Sequence, residues 1–166
     1  MSSAAAGGGG GPAPDAGAAG AAAAAAAAAA APDCCGGAAP DPIVQWVVLR
    51  RDLWTDIGWP LGPVIAQACH ASTAAMVESL SDPLTQEYTA PANLDHMHKV
   101  VLEVKSEQQL VNLAAKLREA GLPHKLWVEQ PENYPTCLAT KPCRRSQGAA
   151  LFKKLQLCKA PLGAAK

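Results

Sequence analysis

Ile43 to Leu49 is a near-continuous apolar run rich in β-branched residues. A strand apolar on both sides has to be covered on both sides, so this run commits the chain to a sheet buried between layers. Lys99 to Val104 has the same character and reads as a second buried strand. Lys125 to Glu129 reads as a third and Thr136 to Thr140 as a fourth. Helical segments separate them. One runs from about Pro63 to Leu80 and ends at Ser81-Asp82-Pro83. Another follows Ser106-Glu107-Gln108-Gln109, a capping region, with Leu110, Leu113, Ala114 and Leu117 on one face. Gly121 and Pro123 stop it, and Gln147 to Lys154 forms a last short helix before a tail at Leu155-Gln156-Leu157. The alternation predicts an α/β fold: a single small domain over 42–158 with a mixed four-stranded sheet and helices on both faces. The crossovers should be right-handed, and the short third-to-fourth connection should give an antiparallel pair at one edge.

Composition separates this domain from what precedes it. Residues 1–41 are almost only Ala, Gly and Pro, with an unbroken alanine run from Ala21 to Ala31. Such a segment cannot bury enough surface to offset its ordering entropy, so a disordered tail is expected over 1–41, and a flexible one over 159–166. No basic residue occurs before Arg50, which argues against a secretory leader or a mitochondrial presequence. No run is long and apolar enough to span a bilayer. A cytoplasmic protein with no membrane partner is expected. Six cysteines are present, but Cys34-Cys35 lies in the tail and Cys69, Cys137, Cys143 and Cys158 lack C-x-x-C spacing. They suggest neither a disulfide framework nor a zinc site.

Charge is asymmetric despite a formal net of zero. All Lys and Arg lie at position 50 or beyond, and the only charged residues after Glu132 are basic: Lys141, Arg144, Arg145, Lys153, Lys154, Lys159 and Lys166. That end reads either as a phosphate-facing surface or as a solvated basic face.

Ligands of open α/β sheets bind at the carboxyl ends of the parallel strands. The segment after the first strand, Arg50 to Leu61, and the helix start at Gly62-Pro63 must lie there. Proline is tolerated in a first turn, and a helix start offers free N–H groups. Beyond it stand Gln67, Cys69 and His70 among small alanines. Gln67 and His70 are three apart and share a face. Histidine is the side chain type suited to acid–base work near neutral pH, so His70 is a candidate acid/base or, alternatively, a core histidine. Cys69 points about 100° away from His70 around the helix, which argues against a Cys–His pair. Trp54, Trp59 and Trp127 either stack nucleic-acid bases or fill domain edges, and Trp46 belongs to the core.

Val64-Ile65-Ala66-Gln67-Ala68-Cys69-His70-Ala71 resembles the V-A-A-Q-C-S-H-A helix of the archaeal and eukaryotic peptidyl-tRNA hydrolase family of Pth2 type. Arg50-Arg51-Asp52-Leu53 resembles the R-x-D-L closing its first strand, and Lys99 to Val104 its second strand. Gly121-Leu122 with Leu126 to Gln130 resembles its third strand, and Thr136 to Ala139 with Pro142 the end of its fourth. The run Trp127 to Asn133 is similar to a divergent branch of the family. The resemblance implies hydrolysis of the ester between peptide and tRNA, without metal or cofactor. It implies His70, Gln67 and Gln130 as catalytic candidates. The candidate substrate contacts are Arg51, Gly62, Cys69, Thr136, Lys141, Arg144 and Arg145. The family's G-K-G-K before the helix is replaced here by Pro60-Leu61-Gly62-Pro63, which removes both lysines. Gln130 stands nearest the family's aspartate after the third strand, with Glu129 and Glu132 beside it. Two other readings stay open: a weak or inactive relative that binds tRNA or another RNA, and a protein-interaction module. Peptidyl-tRNA or another RNA is the expected partner, with a homodimer left open.

Overall fold

The computed structural model of the protein describes residues 40–159. The tails expected over 1–41 and 159–166 lie outside the described residues apart from Pro40, Asp41 and Lys159, as do Cys34 and Cys35. Strand β1 (Ile43–Arg50) is central. It pairs in parallel with β2 (His98–Val104), from Val44↔His98 to Arg50↔Val104. On its other side it pairs antiparallel with β4 (Tyr134–Thr140), which pairs antiparallel with β3 (His124–Glu129) at the edge. The sheet has six strands rather than four. The two extra ones are β5 (Cys143–Arg144), antiparallel to the start of β1, and β6 (Gln156–Leu157), antiparallel to Leu102 and Glu103 of β2. Each is two residues long, too short to show a period, so the expected tail at Leu155–Leu157 is in fact a sheet edge.

Successive residues of β1 face opposite layers, which is why the run from Ile43 to Leu49 is apolar at every position except Gln45. Val47 and Leu49 pack with Cys137, Ala139 and helix α2 (Leu61–Glu78) through Val64, Ala71 and Ala75. Val44, Trp46 and Val48 pack with Leu138, helix α4 (Glu107–Glu119) and helix α5 (Arg145–Phe152). Trp46 stacks on Phe152 at 4.9 Å. Helix α5 approaches β1 so closely that a Cβ on Gly148 would clash with the Trp46 indole.

Several boundaries shift for local reasons. Helix α2 starts at Leu61 with Pro60 as its N-cap, so Pro63 sits inside the first turn, where its missing N–H costs nothing. Asp82 does more than end a helix. Its carboxylate accepts from Leu84 N and Thr85 N and starts a further helix, α3 (Pro83–Thr89). A 3-10 turn at Pro91–His96 follows, and neither element shows a periodicity long enough to read from sequence. A four-residue helix, α1 (Asp52–Thr55), leads out of β1. Ser106 makes no side-chain cap; Gln109 Oε1 instead accepts from Lys105 N. At the far end of α4, Gly121 takes φ +68°, with its N–H to Arg118 O and the Leu122 N–H to Leu117 O. That is the paired closure for which glycine is favoured after a helix.

Because β1, β2 and β3 run the same way, Arg50, Val104 and Glu129 end on one rim. Strand β4 starts on that rim at Tyr134.

Candidate functional site

The rim is tied together by Arg50, which is only 2% exposed. Its guanidinium donates to both Asp52 oxygens, to Glu107 Oε2 at 2.8 Å, to Pro135 O at 2.7 Å and to the Tyr134 hydroxyl at 2.6 Å. It also lies over the Tyr134 ring at 4.2 Å. Burial opposes the charge, but the hydrogen bonds and charge of Asp52, with Tyr134, outweigh it and raise the guanidinium's pKa. One side chain thereby joins the end of β1 and the start of α1 to the starts of α4 and β4. Arg51, beside it, is turned outward and pairs with Glu103 at 3.5 Å.

On the α2 side, His70 is exposed and stacks on Trp127 of β3, with ring centroids 4.8 Å apart. It is therefore not a core histidine. The indole N–H of Trp127 donates to Glu129 Oε2 at 2.9 Å. Trp127 and Glu129 are two apart on one strand and so share its α2-facing side. One turn before His70, Gln67 is 3% exposed and its Oε1 accepts from the Thr136 hydroxyl at 2.8 Å. Strict alternation would turn Thr136 away from α2, because its neighbour Cys137 packs there. A register shift opposite Trp127/Val128 leaves Thr136 as an extra residue on β4. A bulge of this kind re-aims a side chain, and here it brings the hydroxyl to Gln67.

Beside this group, Trp59, Tyr134, Glu129 and Glu132 line a pocket of about 330 Å³. The rings of Trp59 and Tyr134 are 6.5 Å apart. Gln130 is exposed on the loop between β3 and β4, and the carboxylate joined to the His70–Trp127 pair is that of Glu129. Leu61 and Gly62 are exposed at the start of α2, and nothing lies within 4 Å of where a Gly62 Cβ would stand. Trp54, Trp59 and Trp127 all pack against the α2-side core, so they fill an edge, although Trp59 also faces the pocket.

Cys69 is exposed. It lies within electrostatic reach of Lys99, whose ammonium is drawn toward Ser72 Oγ at 3.2 Å and Gln45 Oε1 at 2.5 Å. Burial pushes the Lys99 pKa down, and Cys69 partly counters it. The remaining basic candidates lie at the opposite end of the sheet, where β5 meets the start of β1. Lys141 is held by Asp82. Arg144 reaches Glu87 at 3.3 Å and the Asp41 carbonyl, and Arg145 is exposed. The structure thus brings Gln67, His70 and Thr136 together and places Lys141, Arg144 and Arg145 elsewhere. Sequence reasoning missed Trp127 and Glu129 as neighbours of His70. Their i, i+2 spacing was the available signal. Among the described residues no group of three His, Cys, Asp or Glu could hold a metal ion.

The family model for peptidyl-tRNA hydrolase PTH2 matches residues 43–158. The chain is 43% identical over 123 residues to the Homo sapiens protein named "Putative peptidyl-tRNA hydrolase PTRHD1", covering 74% of this chain and 86% of that protein. It is 42% identical over 121 residues to the Mus musculus protein of the same name, covering 72% and 85%. It is 31% identical over 108 residues to "Probable peptidyl-tRNA hydrolase 2" of Dictyostelium discoideum, covering 62% and 50%. The chain belongs to the peptidyl-tRNA hydrolase PTH2 family.

Proposed function

We propose that this member of the PTH2 family hydrolyses the ester joining a peptide to the 3′ ribose of tRNA, on the face made by α2, β3 and β4. The observation that carries the reading is the exposed imidazole of His70, stacked on Trp127 one turn from Gln67–Thr136. Ester hydrolysis needs a base for water and a donor for the carbonyl oxygen. His70 takes the proton from water as the water oxygen bonds to the ester carbon, and returns it to the 3′ ribose oxygen as the ester C–O bond breaks; the indole sets the orientation of its ring. Trp127 is itself fixed by its bond to Glu129. With Gln67 Oε1 engaged by Thr136, the amide nitrogen is the end left to donate to the carbonyl oxygen or to water. Glu129 takes the place expected of Gln130 as the polar group nearest this pair. No step draws on a metal or cofactor.

The test is release of tRNA from an N-acetyl-aminoacyl-tRNA by the purified full chain. His70→Ala should lower the rate by about 10²-fold or more, the scale of positioned acid–base catalysis. Because His70 is exposed, the melting transition should barely move. Cleavage at the parental rate would remove His70 from the chemistry.

A second reading, RNA binding without turnover, is favoured by one observation. Arg50 spends its guanidinium on Asp52, Glu107, Pro135 and Tyr134, and Pro60–Pro63 supplies no lysine. One lost oxyanion donor is worth about 2.7–4 kcal/mol. Leu61→Lys separates the readings: gained cleavage in an inactive parent would mean that Gln67 and His70 are still arranged for hydrolysis. The homodimer left open by the sequence gains no support. Among the described residues no helix is long and apolar enough to cross a membrane.

A further inference from the structure

Between α4 and the segment joining α5 to β6 lies a cleft of about 430 Å³. Four cations line it: Arg51 just after β1, Lys105 just after β2, Lys116 on α4 and Lys154 after α5. Each comes from a different segment of the chain, so no basic run announces them. Glu103 is the single acidic lining residue, and both its oxygens are engaged, one by Arg51 and the other by the backbone N–H of Lys159. Lys105, Lys116 and Lys154 form no ion pair among the described residues. Unneutralised ammonium groups gathered around one concavity raise a positive field there and favour an anion with several charges.

We propose that this cleft holds successive phosphates of an RNA strand. The inference rests on the RNA-ester reading above and assigns to it a surface that the sequence did not. Phosphate is favoured over an acidic peptide by position: the cleft opens at Arg51 and Lys105, the residues that follow the carboxyl ends of β1 and β2. The cleft lies on the α4–α5 layer, so a backbone held there crosses the rim to reach the α2 layer on which His70 stands. No aromatic ring lines the cleft, so it has no platform on which to stack a base. Binding there is therefore electrostatic and independent of sequence, and it positions the strand rather than reading it.

The experiment measures binding of the full chain to a labelled single-stranded RNA of about 20 nucleotides ending in CCA, over a series of salt concentrations. Each phosphate contact contributes about 0.7 to the log–log salt slope for single strands. The double variant Lys116→Glu/Lys154→Glu should therefore lose about 1.4 from the slope and at least tenfold in affinity at low salt. An unrelated RNA of equal length should lose the same. Lys116→Gln/Lys154→Gln should show the same slope change without adding repulsion, and melting curves check that both variants are folded. In cleavage, the expected effect is a raised KM with kcat retained. If RNA binds but the slope is unchanged, the cleft proposal is wrong and the hydrolase reading stands. If the parent neither binds RNA nor cleaves the ester, both fall. If the parent binds a polyglutamate peptide through these lysines and not RNA, the surface serves a protein partner and the proposal is overturned.

Discussion

The basic residues at the two ends of the sheet are used differently. At the amino end of β1, Lys141 is held by Asp82, and Arg144 by Glu87 and the Asp41 carbonyl. At the carboxyl end, Arg50 is consumed by its own network, yet Lys105, Lys116 and Lys154 form no ion pair among the described residues and surround a cleft. The seven basic residues after Glu132, with no acidic residue among them, look like one surface in the sequence. In three dimensions they divide: Lys141 and Arg144 become struts, while Lys154 joins a lysine just after β2 and one on α4. A field is set by which charges lack partners, and that is decided by tertiary pairing rather than by local density.

The harshest way to break this contrast is at Arg50. Arg50→Ala strips one buried guanidinium from Asp52 and Glu107 and leaves the Pro135 carbonyl without its donor. Breaking a fully buried pair from one side costs about 3–5 kcal/mol, and the loss here should fall at or below the lower end because solvent reaches the surviving Asp52 and Glu107 carboxylates. Denaturant unfolding of the variant should show that loss. Arg50→Lys should recover only part of it, since an ammonium cannot reproduce the planar fork that meets Asp52 through two nitrogens. A loss below 1 kcal/mol would mean that the rim is not held together by this residue.

That network also marks where sequence reading stopped. The layers were legible because each depends on local pattern: a doubly apolar run for β1, and Leu110, Leu113 and Leu117 on one face of α4. The position of His70 and Gln67 on a shared helix face was legible for the same reason. The partner of each was not. Trp127 meets His70 only because β3 lies at the edge under α2, and Thr136 meets Gln67 only through a bulge in β4. Two-residue strands such as β5 and β6 have no period at all. Asp82 read as a helix end because a capping residue and a terminator draw on the same residue types.

Asp82 sharpens the comparison at the opposite end. Its carboxylate accepts from Lys141 and from the first turn of α3. The Lys141 hydrogen bond, outweighing the cost of partial burial, holds its pKa below the ordinary 3.8. Asp82→Ala should cost about 0.5–2 kcal/mol, the usual worth of a lost N-cap, and Asp82→Asn less because an amide oxygen can still cap. A depressed carboxylate contributes stability that is full above its ordinary pKa and is lost as pH falls through its folded value. The parent should therefore lose stability on acidification below about pH 4, and Asp82→Asn should lose less over the same window. Equal acid limbs in the two proteins would place the sensitive carboxylate elsewhere.

The smallest expected effect is at Arg144 and Arg145, and it is the sharpest check on the contrast. Arg144 and Glu87 form a pair whose side chains are 40% and 49% exposed. Pairs in that setting are worth about 0–1 kcal/mol because solvent screens them and ordering two long side chains costs entropy. Arg144→Glu/Arg145→Glu should lower the melting temperature by no more than a few degrees. Its consequence for RNA should be smaller still. Arg144 is already turned to Glu87 and Asp41, and both residues lie at the end of the sheet away from the rim, so the salt slope of RNA binding should match the parent's. A slope reduced by about 1.4 would mean two phosphate contacts at the amino end. The basic C-terminal run would then be the RNA surface after all, and the Glu87 ion pair and the Asp41 carbonyl bond that now hold Arg144 would have to open for RNA to bind.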